Sequence, residues 1–315
     1  MTTAFDFGRP LLLDGGTGRE LLKRGVPILT HIWSGTALLE APDIVRQVHL
    51  DFIKAGADII TTNTYGIVRE RLAEIGMEDR FAELNLIAVR VAQHAREQGG
   101  RDVAIAGSLP PLSRSYRPDL VGSFESLLPL YREQVEILAP YVDLFICETM
   151  SSADEARAAA SAAVESGKPV WVAWTLHDDQ SGRLRSGETV TEAAAQLTHL
   201  PIEGFLANCC APESITAALP ELASIGRGRF GAYANTFLPV NAQGPSYGAQ
   251  KLDPSNWKAY QAAALPVRDD LPPTAYAAHA RHWRHHGASI LGGCCGAGPE
   301  HIAHLRRVID EPLEP

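Results

Sequence analysis

Ala288-Ser289-Ile290-Leu291-Gly292-Gly293-Cys294-Cys295-Gly296 is a short apolar run that breaks abruptly into glycine and cysteine. The run predicts a buried strand over 289–292, and the glycines predict a sharp turn just beyond it. The same arrangement recurs upstream in the runs Leu11–Asp14, Asp58–Asn63, Val103–Gly107, Leu144–Glu148, Val170–Leu176, Gly204–Asn208 and Phe230–Asn235. Between these runs lie stretches of helical period, among them Pro42–Leu50, Phe81–Gln98 and the alanine-rich Ser152–Glu165, which Ser151-Ser152 are placed to cap. Eight strands alternating with helices in 315 residues predict one TIM (β/α)8 barrel over residues 1–315. A doubly wound sheet is the alternative, but no dinucleotide glycine fingerprint is present. The one long irregular stretch, about 238–273, is rich in proline and reads as an excursion after the seventh strand, with a short helix around Trp257–Ala264.

Composition excludes several classes of function. With 45% hydrophobic and 21% charged residues the chain has the make-up of a soluble globular protein. A net charge of −9 argues against nucleic acid or an anionic membrane as partner, since both demand a basic face. The five cysteines make no disulfide framework, and Met1–Asp6 carries no signal pattern, so a reduced, cytoplasmic location is expected. No apolar run approaches the roughly 20 residues a membrane span requires.

In a barrel of parallel strands the C-terminal strand ends gather at one face, which is where active sites lie. Here those ends carry Asp14-Gly15-Gly16-Thr17-Gly18, Thr61–Tyr65, Gly107–Pro111, Glu148-Thr149, Asn208-Cys209, Asn235 and the cysteine pair. A single glycine-rich end is usually only a tight turn, but the pattern repeats on nearly every strand. Two cysteines on a glycine-rich turn and a third on another strand end offer the three thiolates of a zinc site with an open position. Such a site favours the thiolate of a substrate thiol near neutral pH, and a soft sulfur nucleophile suits a methyl group on a cationic donor. Asp14 and Glu148 could hold the ammonium of an amino-acid substrate, and the amides of the Gly15-Gly16-Thr17 turn its carboxylate. Trp33 and Tyr65 are candidates to face the donor cation, although core packing is the commoner role for each aromatic. Cys147 and Cys210 read as structural, the ordinary role of a free cysteine.

These residues resemble the zinc-dependent homocysteine S-methyltransferases, which share a barrel with betaine–homocysteine methyltransferases and with the homocysteine domain of cobalamin-dependent methionine synthase. The resemblance is carried by Leu13–Gly18, Trp33-Ser34, Val45–His49, Ala55–Asp58, Thr64-Tyr65, Glu148-Thr149, Asn208-Cys209 and Gly292–Gly296, from about residue 10 to residue 308. It implies zinc on Cys209, Cys294 and Cys295, with Cys209 rather than Cys210 as ligand because it directly follows the asparagine. It also implies homocysteine thiolate as the fourth ligand and methionine as product. Asp14, Gly15 and Glu148 match substrate positions, Gly16 and Asn208 are substrate-binding candidates beside them, Trp33 and Tyr65 match aromatics near the donor, and water, Thr149 or Asn235 could supply the fourth zinc ligand at rest.

The length and the Ile32-Trp33-Ser34 context are similar to members that use S-methylmethionine and sometimes S-adenosylmethionine. Ser108–Tyr116 departs from the glycine-rich form of the best-known bacterial members. Betaine or dimethylsulfoniopropionate as donor, another thiol or selenol as acceptor, and a corrinoid-protein partner are the alternatives. The expected partners are otherwise small molecules, with the chain a monomer or weak homo-oligomer. His279, His282, His285 and His286 have metal-like spacing but read as a solvated helical face, and Asp178-Asp179 reads as a loop rather than an acid/base pair.

Overall fold

A computed structural model describes residues 5–28, 32–239 and 267–312. It contains one sheet of eight parallel strands in the order β1-β8-β7-β6-β5-β4-β3-β2. The strands are β1 (Leu11–Leu12), β2 (Ile59–Thr61), β3 (Ala104–Leu109), β4 (Leu144–Met150), β5 (Val170–Trp174), β6 (Gly204–Asn208), β7 (Arg229–Ala234) and β8 (Ile290–Gly293). A parallel bridge from Leu13 to Ile59 brings β1 against β2, so the sheet curls into a nearly closed barrel.

The strands read as continuous apolar runs because both of their faces are covered, as expected of parallel sheets. Alternate side chains divide between two cores. Leu11, Leu13, Ala104, Ala106, Leu144, Ile146, Trp171 and Ala173 fill the barrel interior, and Phe5 and Phe7 pack in beneath them. Leu12, Ile60, Ile105, Phe145, Val172 and Trp174 face outward into the larger core under the helices.

The main helices of that layer are α1 (Thr17–Lys23), α2 (Thr36–Glu40), α3 (Pro42–Ala55), α4 (Arg69–Ala73), α5 (Phe81–Gly99) and α6 (Phe124–Leu138). They continue with α7 (Ala153–Val164), α8 (Val190–Ala195), α9 (Pro212–Ser224), α10 (Pro273–His285) and α11 (Pro299–Asp310). Ser152 caps α7, accepting from the Glu155 amide, while Ser151 instead donates its own amide and hydroxyl to the Glu155 carboxylate. Beneath the barrel Asp58, 1% exposed, accepts from Arg9, Arg306 and the Leu12 amide, tying the chain ends to β1.

Most of the expected excursion at 238–273, and the helix expected at 257–264, lie outside the described residues. Its two ends meet at an antiparallel bridge between Phe237 and Val267. Among the described residues no helix is long and apolar enough to cross a membrane.

Candidate metal and substrate site

The inward alternation continues past the strand ends and decides what faces the barrel axis. Thr61, Ser108, Glu148, Asn208, Asn235 and Cys294 each follow an inward-facing residue of their own strand by an even number of positions. The upper end of the barrel is therefore polar where its middle is apolar.

Cys209, Cys294 and Cys295 converge there, with their sulfur atoms all within 4.8 Å of one another. Each is held by backbone. Cys209 has a left-handed backbone, φ 53°, and follows Asn208 at the end of β6. The Asn208 amide group donates to the Thr149 hydroxyl and its oxygen accepts the Thr149 amide, both at 2.9 Å. Thr149 also has positive φ, 62°, where the register of β4 shifts. The Cys294 amide donates to the Ala234 carbonyl, and the Cys295 amide to Asn235 Oδ1 at 3.1 Å.

Gly15 and Gly16 press directly on this turn. A Cβ at Gly15 would lie 2.2 Å from the Ala297 carbonyl oxygen, and one at Gly16 would lie 2.6 Å from that of Cys294. The Gly16 amide donates to the Ala297 carbonyl, so of the three turn amides read as an anion cradle this one is engaged by protein. Non-glycine residues in the left-handed region are uncommon and cluster at functional sites. Trp33, Tyr116, Thr149 and Cys209 all have that conformation, and all lie at this end of the barrel.

The three sulfurs share protons unequally. Cys209 is held well below the ordinary thiol range because the Cys294 and Cys295 thiols donate to it, with further donation from Tyr116 and Asn235 against the cost of burial. Cys294 and Cys295 are correspondingly raised. Three sulfur atoms converged within 4.8 Å of one another fit a soft divalent ion such as zinc.

Beside the thiols stand Asp14 and Glu148. Asp14, 4% exposed, accepts from the Thr61 amide at 2.8 Å and the Thr61 hydroxyl at 2.9 Å. Glu148 accepts from the Ser108 hydroxyl at 2.5 Å and from the Tyr233 hydroxyl at 3.3 Å. Neither carboxylate pairs with a basic side chain among the described residues, and burial pushes both up to about 7.

A cleft of about 230 Å³ opens over these groups, with Trp33 and Tyr65 in its wall. Asn63 fixes the Trp33 segment: Ser34 donates its hydroxyl to Asn63 Oδ1 at 2.5 Å, and Asn63 donates back to the Ser34 carbonyl at 3.0 Å. The Tyr65 hydroxyl shares a hydrogen bond of 2.7 Å with Ser115.

Of the residues expected from sequence, Asp14, Gly15, Gly16, Trp33, Tyr65, Glu148 and the three cysteines line this cleft. Asn208, Thr149 and Asn235 are not among its lining residues, and their side-chain bonds brace the strand ends. Thr61, Ser108 and Tyr233 were not singled out as site residues, although the alternation along β2, β3 and β7 marks them as inward-facing. Tyr116 carries no such periodic signal.

Cys147 and Cys210 are fully buried outside the trio, where burial pushes their thiols up. The rings of His282 and His286 lie with centroids 4.2 Å apart, tilted by 45°, but no third ligand joins them among the described residues. Asp178 differs from a plain loop residue: it forms a buried ion pair of 3.1 Å with Arg185, whereas Asp179 accepts the Ser181 amide in an exposed turn.

The family model described as "Homocysteine S-methyltransferase" matches residues 11–309. The chain belongs to the homocysteine S-methyltransferase family. A relative named homocysteine S-methyltransferase, from Escherichia coli, is 29% identical over 313 residues, covering 94% of each chain. The protein named homocysteine S-methyltransferase YbgG, from Bacillus subtilis, is 28% identical and covers 94% of this chain and 93% of its own. Among solved structures, the metallated form of the E. coli homocysteine methyltransferase MmuM superposes with a TM-score of 0.76 at 28% identity, covering 96% of this chain and 97% of that one. Membership in this homocysteine S-methyltransferase family is consistent with thiols and carboxylates gathered at one barrel mouth.

Proposed function

We propose that the chain transfers a methyl group from a sulfonium donor to the sulfur of homocysteine, producing methionine, with zinc held by Cys209, Cys294 and Cys295. The observation that carries this reading is the pair of carboxylates, buried Asp14 and half-buried Glu148, standing without a basic partner among the described residues beside three converged thiols. A substrate bearing both an ammonium and a thiol answers both features. The ammonium would ionise the two carboxylates, and the Gly15 and Thr17 amides lie at the same turn for its carboxylate.

Zinc at the three thiolates supplies an open position and the positive charge that favours a substrate thiolate at neutral pH. The homocysteine sulfur forms a bond to the methyl carbon as the bond from that carbon to the donor sulfur breaks, and the electron pair leaves with the donor as a neutral sulfide. With S-methylmethionine, the donor favoured here, both products are methionine; S-adenosylmethionine is the second candidate. Trp33 and Tyr65 line the side of the cleft from which a cationic donor would approach, and their rings suit a sulfonium. The protein otherwise acts by holding its two substrates in line and excluding water. A reducing cytoplasm suits five cysteines that are all free thiols.

The test is methyl transfer by the purified, zinc-loaded chain with homocysteine, offering S-methylmethionine, S-adenosylmethionine, betaine and dimethylsulfoniopropionate in separate reactions. Methionine from a sulfonium donor supports the reading. Methionine from betaine alone overturns the donor class, and none from any donor at one zinc per chain points to a different acceptor or a corrinoid partner.

A further inference from the structure

Tyr116 sits at the edge of the cleft with its hydroxyl 2.9 Å from the Cys209 sulfur. Both partners of this contact are in the left-handed backbone region, at φ 65° and 53°. An aromatic side chain takes that conformation only when its surroundings over-determine it.

The surroundings here are specific. The Arg185 guanidinium lies over the Tyr116 ring, 4.8 Å from its centroid. Arg185 is in turn paired with Asp178, the two side chains being 1% and 4% exposed. Asp178 also accepts the Ala211 amide at 2.6 Å, two residues beyond Cys209. One buried ion pair thus braces the ring from behind and anchors the turn that carries the sulfur. At the other end of the loop, Arg71 donates to the Pro111 carbonyl at 2.8 Å and to that of Ser113 at 3.3 Å. Packing a phenol ring requires none of this; aiming its hydroxyl at one sulfur does.

We propose that Tyr116 is a positioning residue for the metal centre, donating its hydroxyl hydrogen to the Cys209 thiolate and fixing that sulfur's direction and charge. The inference rests on the reading that Cys209, Cys294 and Cys295 hold zinc. Three thiolates around a divalent ion carry net charge −1, and a substrate thiolate makes it −2. A donor to Cys209 offsets that accumulation, so it matters most when homocysteine is bound. Groups that hydrogen-bond to metal ligands typically change metal affinity or activity 10- to 100-fold when removed.

Tyr116→Phe deletes the hydroxyl and keeps the ring against Arg185. Zinc affinity of the purified full-length variant is measured by competition with a chromophoric chelator. The thiolate-to-cobalt charge-transfer absorption of the cobalt(II)-substituted protein is recorded in parallel. The expected result is zinc binding weakened about tenfold or more, a displaced charge-transfer band, and a homocysteine KM raised by more than kcat falls. Tyr116→Phe with unchanged zinc affinity and an unchanged cobalt spectrum overturns the proposal while leaving the metal site intact. Wild-type protein that binds no zinc overturns the metal reading and this inference together.

Discussion

Asp14→Asn should stabilise the substrate-free protein and impair its use of homocysteine, with a pH dependence that follows from burial. The substitution preserves shape and both hydrogen bonds: an amide oxygen still accepts the Thr61 amide, and an amide nitrogen donates to the Thr61 hydroxyl. Burial raises Asp14 from its ordinary value of 3.8 to about 7, against the opposing bonds from Thr61. A carboxyl whose folded pKa is raised gives up its proton first in the unfolded chain. Stability from this group is therefore fully present below about pH 4 and is lost as pH rises through 7. The gap of about three pH units corresponds to roughly 4 kcal/mol at pH 8, as an upper figure. Urea denaturation of both proteins across the range from about pH 4.5 to 8 reads the difference. Asp14→Asn should have little advantage at the acid end, an advantage growing through neutrality, and a plateau above about pH 8. In the same protein the homocysteine KM should rise about tenfold or more, since a bond between charged groups is lost. A stability difference that does not vary with pH, or a variant less stable than wild type at pH 8, would refute the reasoning.

For wild type, the homocysteine KM should be lowest above about pH 7 and rise below it, as Asp14 and Glu148 take up protons and cease to attract an ammonium; initial rates at saturating donor check this. Cys294→Ala should abolish stoichiometric zinc binding and methyl transfer together, read by metal analysis and methionine formation. Gly16→Ala places a methyl group 2.6 Å from the Cys294 carbonyl oxygen and should cost about 1–3 kcal/mol of stability in a denaturant titration, together with a marked loss of zinc affinity. Asn63→Ala removes the two bonds that hold Ser34 and should raise the donor KM several-fold while leaving the homocysteine KM nearly unchanged, a split that steady-state kinetics resolves.

The barrel was legible because parallel strands covered on both faces must be short apolar runs, and seven of the eight end in glycine, acid, amide or cysteine. Strand limits were less legible. The first strand reads as Leu11–Asp14 in sequence and forms a regular ladder over Leu11–Leu12, beyond which Leu13 bridges to Ile59 and the Asp14 carbonyl accepts the Gly293 amide. The cysteines and carboxylates stood out by residue type and position. Thr61, Ser108 and Tyr233 are ordinary residues whose roles come from facing inward beside a carboxylate, which requires the alternation to be carried past each strand end. Tyr116 was beyond reach of the pattern. Its contact with Cys209 depends on a left-handed backbone and on the Arg185–Asp178 pair, which lies in the loop after β5 and which periodicity does not bring to Tyr116.

The zinc K-edge X-ray absorption of the loaded protein, recorded with and without homocysteine, addresses the assignment of the three cysteines and of the thiol that joins them. Three sulfur ligands in the free protein, rising to four with homocysteine, is the predicted result. A sulfur count that homocysteine leaves unchanged, or zinc bound through nitrogen and oxygen alone, would contradict it.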